Sequence, residues 1–148
     1  LIAAGRDVEL VIAGEGPLVG QLAELAESRP HVSLVGAIAD AAPFLSRHHA
    51  MLLCSEHEGL PLSLIEAMAS GLPIIASDVG GMATAADKAA LLVPPREPGQ
   101  LSFAMMRLLS DRELWLSLSD AGRARARIYD SAHVADHYAA LYNRLLMR

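Results

Sequence analysis

The chain has a single cysteine in 148 residues, Cys54, so no internal disulfide can form and the disulfide-stapled secreted folds are excluded. Cys54 lies in an apolar run and is expected to be buried and inert, and a cytoplasmic setting fits such a chain. Excess positive charge is missing too: 12 basic against 17 acidic residues leave a formal charge of -5. Neither a nucleic-acid footprint nor a polybasic membrane patch can be built from that balance. Apolar runs such as Ala50 to Cys54 and Leu91 to Pro95 fall far short of the roughly 20 residues that cross a bilayer. No charged segment, apolar segment and cleavage site follow Leu1 in the order of a signal peptide, and the start without Met points to a fragment. What the chain does have is 53% hydrophobic residues. That is enough for one domain with a well-buried core and too few residues for two ordinary domains.

Short β-branched or wholly apolar runs alternate with helical periodicity. Val8–Ala13, Val32–Val35, Ala50–Cys54, Pro73–Ala76 and Leu91–Val93 read as strands. Pro17–Ser28, Ala41–His48 and Leu62–Ser70 read as the helices between them, the last opened by Pro61 and closed by Gly71. Gln100–Leu109, Arg112–Ile128 and Ala132–Met147 form a purely helical tail, and Pro94–Gly99 is a candidate hinge before it. Strands that are continuously apolar and separated by helices predict a Rossmann-like, doubly wound parallel α/β sheet with helices on both faces. Ligands of such sheets bind beyond the carboxyl ends of the strands. Attention therefore falls on Gly14–Pro17, Gly36–Asp40, Ser55–Pro61 and Ser77–Gly81.

The densest of these stretches is Ser55-Glu56-His57-Glu58-Gly59-Leu60-Pro61-Leu62-Ser63-Leu64-Ile65-Glu66-Ala67-Met68-Ala69-Ser70-Gly71-Leu72-Pro73. It sets Glu58 on a loop after a strand and Glu66 on the helix that follows. The free N–H groups and positive dipole end of that helix suit a diphosphate. With Glu58-x7-Glu66 in this setting the chain resembles the family 4 glycosyltransferases, whose signature is E(x7)E. Four further stretches agree with that family in order: Ile12–Pro17, Val32–Gly36, Ala76–Gly81 and Leu91–Pro95. Together they span nearly the whole chain.

The resemblance implies the C-terminal, donor-binding half of a two-domain GT-B enzyme. Such an enzyme moves a hexosyl unit from a nucleoside diphosphate sugar (UDP-, GDP- or ADP-linked) to a hydroxyl acceptor, with retention at the anomeric carbon. Glu58 is implied beside the donor sugar as the catalytic-site carboxylate, with Gly59, Leu60, Pro61 and Leu62 near its hydroxyls and phosphate. Glu66 is implied on the ribose, where an ionised carboxylate, an acceptor only, meets paired donors at about 1.5–3 kcal/mol per charge-assisted bond. Gly14 and Gly16 would admit the nucleotide backbone-first, and Gly36, Ala37 and Ile38 would line the base. No metal or further cofactor is implied. The expected partners are the nucleotide sugar and the enzyme's own N-terminal acceptor domain, with peripheral membrane contact open to the intact enzyme. That domain, and the first strand and loop of this one with their phosphate-neutralising Arg and Lys, are expected to lie before Leu1.

Each residue has a plainer reading. Glu66 as a surface helix residue, Glu58 as a solvated loop acid and the glycines as turn formers are the alternatives; for Gly71 a helix C-cap is preferred outright. Gly14-Glu15-Gly16-Pro17-Leu18-Val19-Gly20 misses the dinucleotide fingerprint, its third glycine one place late. His133 and His137 have metal-pair spacing without an H-E-x-x-H pattern or a nearby Cys, so an amphipathic or exposed pair is expected; His48 and His49 are expected to close a short helix, and Met105 and Met106 to be core. The sequence departs from the family at Gly80-Gly81-Met82-Ala83-Thr84, where Thr84 takes the place of a Glu and can keep one hydrogen bond at most. The turn Ala85–Ala90 is also short and lacks the usual glycine. A binding module without catalysis, an epimerase or hydrolase on the same fold, and a structural domain are the rival functions.

Overall fold

The computed structural model describes Gly5 and residues 7–147, which fall into two compact units, Leu1–Phe44 and Leu45–Arg148. In the first, β1 (Leu10–Ala13), α1 (Val19–Glu27) and β2 (Val32–Gly36) form a parallel β-α-β unit running from the Leu10/Val32 pair to the Ala13/Gly36 pair. α2 (Ala41–Leu45) follows, its first turn capped by Asp40, whose carboxylate accepts from the Ala42 N–H at 3.3 Å.

The second unit carries β3 (Met51–Leu53), α3 (Leu62–Ser70), β4 (Ile74–Ser77), α4 (Met82–Ala86), β5 (Ala90–Val93), α5 (Pro98–Ser110), α6 (Arg112–Ala126), a 3-10 turn over Arg127–Tyr129 and α7 (Ser131–Leu146). Its sheet is parallel throughout in the order β3-β4-β5. All four residues of the central β4 are buried. Side chains alternate across a sheet, so a strand buried at every position is covered on both faces, as its unbroken apolar sequence requires. Ile75 and Val93 pack with Ala104, Leu108 and Leu118 of α5 and α6, with Leu52, Leu91, Leu114 and Trp115 around them. Leu64, Ala67 and Met68 bury the inner face of α3.

α3 shows how local sequence sets the frame. Pro61, extended at φ -72° and ψ 127°, precedes the first turn, and Gly71 ends the helix in the left-handed region at φ 72°, its N–H bonded to the Ala67 and Met68 carbonyls. A Cβ on Gly71 would overlap the Arg123 guanidinium. The Gly71 carbonyl accepts from the buried Ser119 hydroxyl at 2.7 Å, and Arg123 in turn donates to Ser119 at 2.8 Å. One residue from that site, Gly122 faces the Met68 backbone, where an added Cβ would sit at 3.5 Å in ordinary van der Waals contact.

Several boundaries differ from the sequence reading. α4 takes up Ala85 and Ala86, part of the expected turn, because Met82, Ala85 and Ala86 bury one helical face. α2 stops at Leu45, where a turn closes with the His48 N–H on the Leu45 carbonyl at 3.0 Å. His48 and His49 therefore lie beyond the helix instead of closing it, and the His49 carbonyl accepts from the Trp115 indole at 2.9 Å. Along α7 every residue is exposed, and Val134, Tyr138, Leu141, Tyr142 and Leu145 leave an apolar stripe open. Among the described residues no helix is long and apolar enough to cross a membrane.

Candidate functional site

The loop between β3 and α3 gathers most of the candidate groups. Glu58 is half-buried, and its carboxylate accepts from the Ser55 hydroxyl at 2.7 Å, which fixes the side chain relative to its own loop. The main chain of the same loop rests on the turn after β4. A Cβ on Gly80 would overlap the Glu58 carbonyl oxygen, and one on Gly81 would come within 2.7 Å of the Gly59 carbonyl. Gly80 also sits in the left-handed region at φ 53°. Both glycines are thus demanded by close backbone approach, and the approach sets where Glu58 stands.

Beyond Glu58, Leu60 and Leu62 are 51% and 73% exposed, large apolar side chains left open at the mouth of α3. No side chain caps the N-terminus of α3. Glu66 is exposed, off the face that Leu64, Ala67 and Met68 bury. Thr84 is also exposed, while its backbone is held: Arg125 donates to the Thr84 carbonyl at 2.6 Å and to the Ala85 carbonyl at 2.9 Å. The Tyr129 hydroxyl adds a third bond, to Ala85 at 3.2 Å, and its ring lies 5.7 Å from the Arg125 guanidinium.

In the first unit Gly14 and Gly36 meet, the Gly14 N–H donating to the Gly36 carbonyl at 2.8 Å, both with positive φ, 130° and 71°. Gly16 opens α1 by accepting from the Val19 N–H at 3.2 Å, and Ala37 and Ile38 follow β2 exposed. These five residues belong to the first unit, and Glu58 through Leu62, Glu66 and Thr84 to the second.

A shallow cavity of about 190 Å³ opens beside the Glu58 loop, lined by Cys54, Glu56, Ser77, Val93, Arg96 and Leu101 among others. Across it Arg96 grips Glu56 with two bonds, Nε to one carboxylate oxygen at 2.8 Å and a terminal nitrogen to the other at 2.5 Å. The hydrogen bond from Arg96 holds the Glu56 carboxyl below its ordinary pKa, and the same bond pushes Arg96 higher. Cys54 is exposed, not buried as its apolar run implied, because β3 ends at Leu53 and the next residue already lines the cavity. The surrounding walls still desolvate the thiol and push its pKa up, against thiolate formation at neutral pH.

Ser55, Arg96, Arg125 and Tyr129 were not legible as site residues. Ser55 stands three residues from Glu58, a spacing that offered a signal, whereas Arg96 meets its partner across 40 positions and offered none. His133 and His137 meet on exposed α7 as a tilted pair with ring centroids 4.5 Å apart, and among the described residues no cluster of three or more His, Cys, Asp or Glu could hold a metal. Met105 packs partly buried against the core.

Comparison with known proteins gives a consistent result. The family model described as "Glycosyl transferases group 1" matches residues 1–111. The MMP alpha-(1->4)-mannosyltransferase of Mycolicibacterium hassiacum is 35% identical over 97% of this chain and 37% of its own length. Among solved structures, the sucrose-phosphate synthase of Thermosynechococcus elongatus superposes at a TM-score of 0.80 with 29% identity, covering 94% of this chain and 39% of that one. Anabaena HepE in complex with UDP-glucose shares the fold at a TM-score of 0.83 and 19% identity, over 93% and 41% of the two chains. The chain thus spans well under half the length of these relatives.

Proposed function

The chain belongs to the group 1 glycosyl transferases, and from that membership we propose that it is the donor-binding half of a GT-B enzyme that transfers a hexosyl unit from a nucleoside diphosphate sugar to a hydroxyl. The observation that carries this reading is the setting of Glu58. Its carboxylate is held by Ser55 and its main chain is seated on Gly80 and Gly81, just before an uncapped helix N-terminus whose next turns carry the exposed Glu66.

The chemistry follows from these groups. The unshared N–H groups at the start of α3 receive the diphosphate, their partial positive charge offsetting its negative charge. Glu66 accepts the ribose hydroxyls. Glu58, with one oxygen engaged by Ser55, has acceptor capacity left to orient the sugar and to stabilise positive charge that develops at the anomeric carbon as the nucleoside diphosphate departs. Gly14, Gly16, Gly36, Ala37 and Ile38 supply the backbone surface for nucleoside and base. Transfer proceeds with retention, and the donor nucleotide is UDP, GDP or ADP.

The partner is the N-terminal acceptor domain of the longer enzyme. In support, the open stripe on α7 with Tyr138 and Tyr142 suits packing on that domain. The lone Cys54 supports a cytoplasmic setting.

A second reading is favoured by Thr84. It is exposed and uncharged where the family places a Glu, so the scaffold could hold a nucleotide sugar without transferring it. Assaying the longer enzyme against a panel of UDP-, GDP- and ADP-hexoses, with the anomeric configuration of the product read by NMR, separates the two. Transfer with retention that Glu58→Gln lowers by about a hundredfold or more supports the first reading. Donor binding with no turnover supports the second, and transfer indifferent to Glu58→Gln defeats the role given to Glu58.

A further inference from the structure

The loop that bears Glu58 is tied down from a third side. Ser55 holds its carboxylate and Gly80 with Gly81 seat its main chain, and the bond from Arg96 to Glu56 links it by side chains to the turn after β5. That link has an energetic oddity. Arg96 sits at φ 60°, a left-handed conformation that a residue with a Cβ adopts at a cost. Its ion pair is exposed, with 75% and 50% of the two side chains open to water, and pairs of that kind are screened and add little to stability. Stability therefore gives no reason for Arg96 here, because glycine would suit the backbone better. Geometry does: the bidentate fork fixes distance and angle together, across the cavity and two residues from Glu58.

We propose that Glu56 and Arg96 form a clamp that holds the Ser55–Pro61 loop in register, making both positioning residues for Glu58. The inference rests on the reading of Glu58 as a donor-site group. It assigns a role to two residues that lie outside the E(x7)E stretch or inside it without a function.

The test is amide hydrogen exchange, resolved by mass spectrometry, over peptides spanning residues 55–62 in the unliganded protein. Arg96→Gly is the informative variant, since it removes the fork while relieving the backbone. Exchange in this segment should rise by about two- to fivefold, the range a screened exposed pair supports, with the melting temperature equal to wild type or higher. Glu56→Gln should match it, the double variant should be no worse than either single, and the swapped pair Glu56→Arg with Arg96→Glu should recover protection. Exchange unchanged in both single variants, or additive effects in the double, overturns the clamp. In the longer enzyme Arg96→Gly should lower kcat several-fold with the nucleotide-sugar KM nearly unmoved; a rise in KM alone counts against positioning. The exchange arm needs no substrate, so a wild type without transferase activity defeats the proposed function and leaves the clamp standing, while unchanged exchange does the reverse.

Discussion

Replacing Gly80 by alanine tests whether the turn after β4 sets the position of the Glu58 loop. Two costs follow from the geometry. Holding a residue with a Cβ at φ 53° costs roughly 1–2 kcal/mol, and seating that Cβ where the Glu58 carbonyl now lies adds about 1–3 kcal/mol of overpacking. At about 2–4 °C per kcal/mol for a chain of this size, the melting temperature should fall by at least about 4 °C. Gly81→Ala separates the two terms. Gly81 lies at φ -84°, so its variant carries only the contact with the Gly59 carbonyl and should fall less. Gly99→Ala is the control: a first-turn helical glycine with open space around it, where alanine should leave the melting temperature at or slightly above wild type. Thermal unfolding followed by circular dichroism reads all three. A Gly80→Ala protein that melts with or above wild type would refute the reasoning, because neither strain nor close approach would then be real in solution.

Ser119→Ala removes the hydroxyl shared by the Gly71 carbonyl and Arg123 in a buried setting, and should cost about 1–3 kcal/mol, seen as a lower denaturation midpoint with an unchanged denaturant slope. Glu56 should titrate below the ordinary carboxylate value of about 4.3, because Arg96 bonds its charged form. With the folded pKa depressed, the pair's contribution is complete above the ordinary value and fades as pH falls through the folded one. NMR titration of the Glu56 carboxyl carbon checks this. Arg96→Gly should return the midpoint to the ordinary range, and a wild-type midpoint already there would mean that the pair does not form.

Much of this molecule was legible because its strands are short, apolar and punctuated. Leu62–Ser70 was bounded by Pro61 and Gly71, and the structure ends α3 at those residues for the reason anticipated, a left-handed C-cap glycine; that a Cβ there would run into Arg123 was not legible. α4 escaped because five residues carry too little periodicity to stand out, and only the burial of Met82, Ala85 and Ala86 makes them helical. Cys54 was misjudged from its neighbours, since an apolar run does not reveal where its strand stops. At the site, Glu58 and Glu66 could be singled out because a nine-residue motif is local. The long-range bonds around the loop and the turn after β4 could not. Arg96 on Glu56 and Arg125 on the Thr84 carbonyl join residues 40 and 41 apart, and such pairings exist only once β5 and α6 have been laid against the sheet.

As proposed above, this chain holds the nucleotide of a sugar donor, with Glu66 on the ribose. Calorimetric titration with UDP, GDP and ADP, repeated on Glu66→Ala, tests it most directly. Glu66 is exposed, so its loss should leave the melting temperature nearly unchanged and report on binding alone. One nucleotide should bind, near millimolar or roughly -4 kcal/mol for half a site, and Glu66→Ala should abolish the heat. Binding that survives Glu66→Ala undiminished, or silence toward all three nucleotides even in the longer folded enzyme, would contradict it.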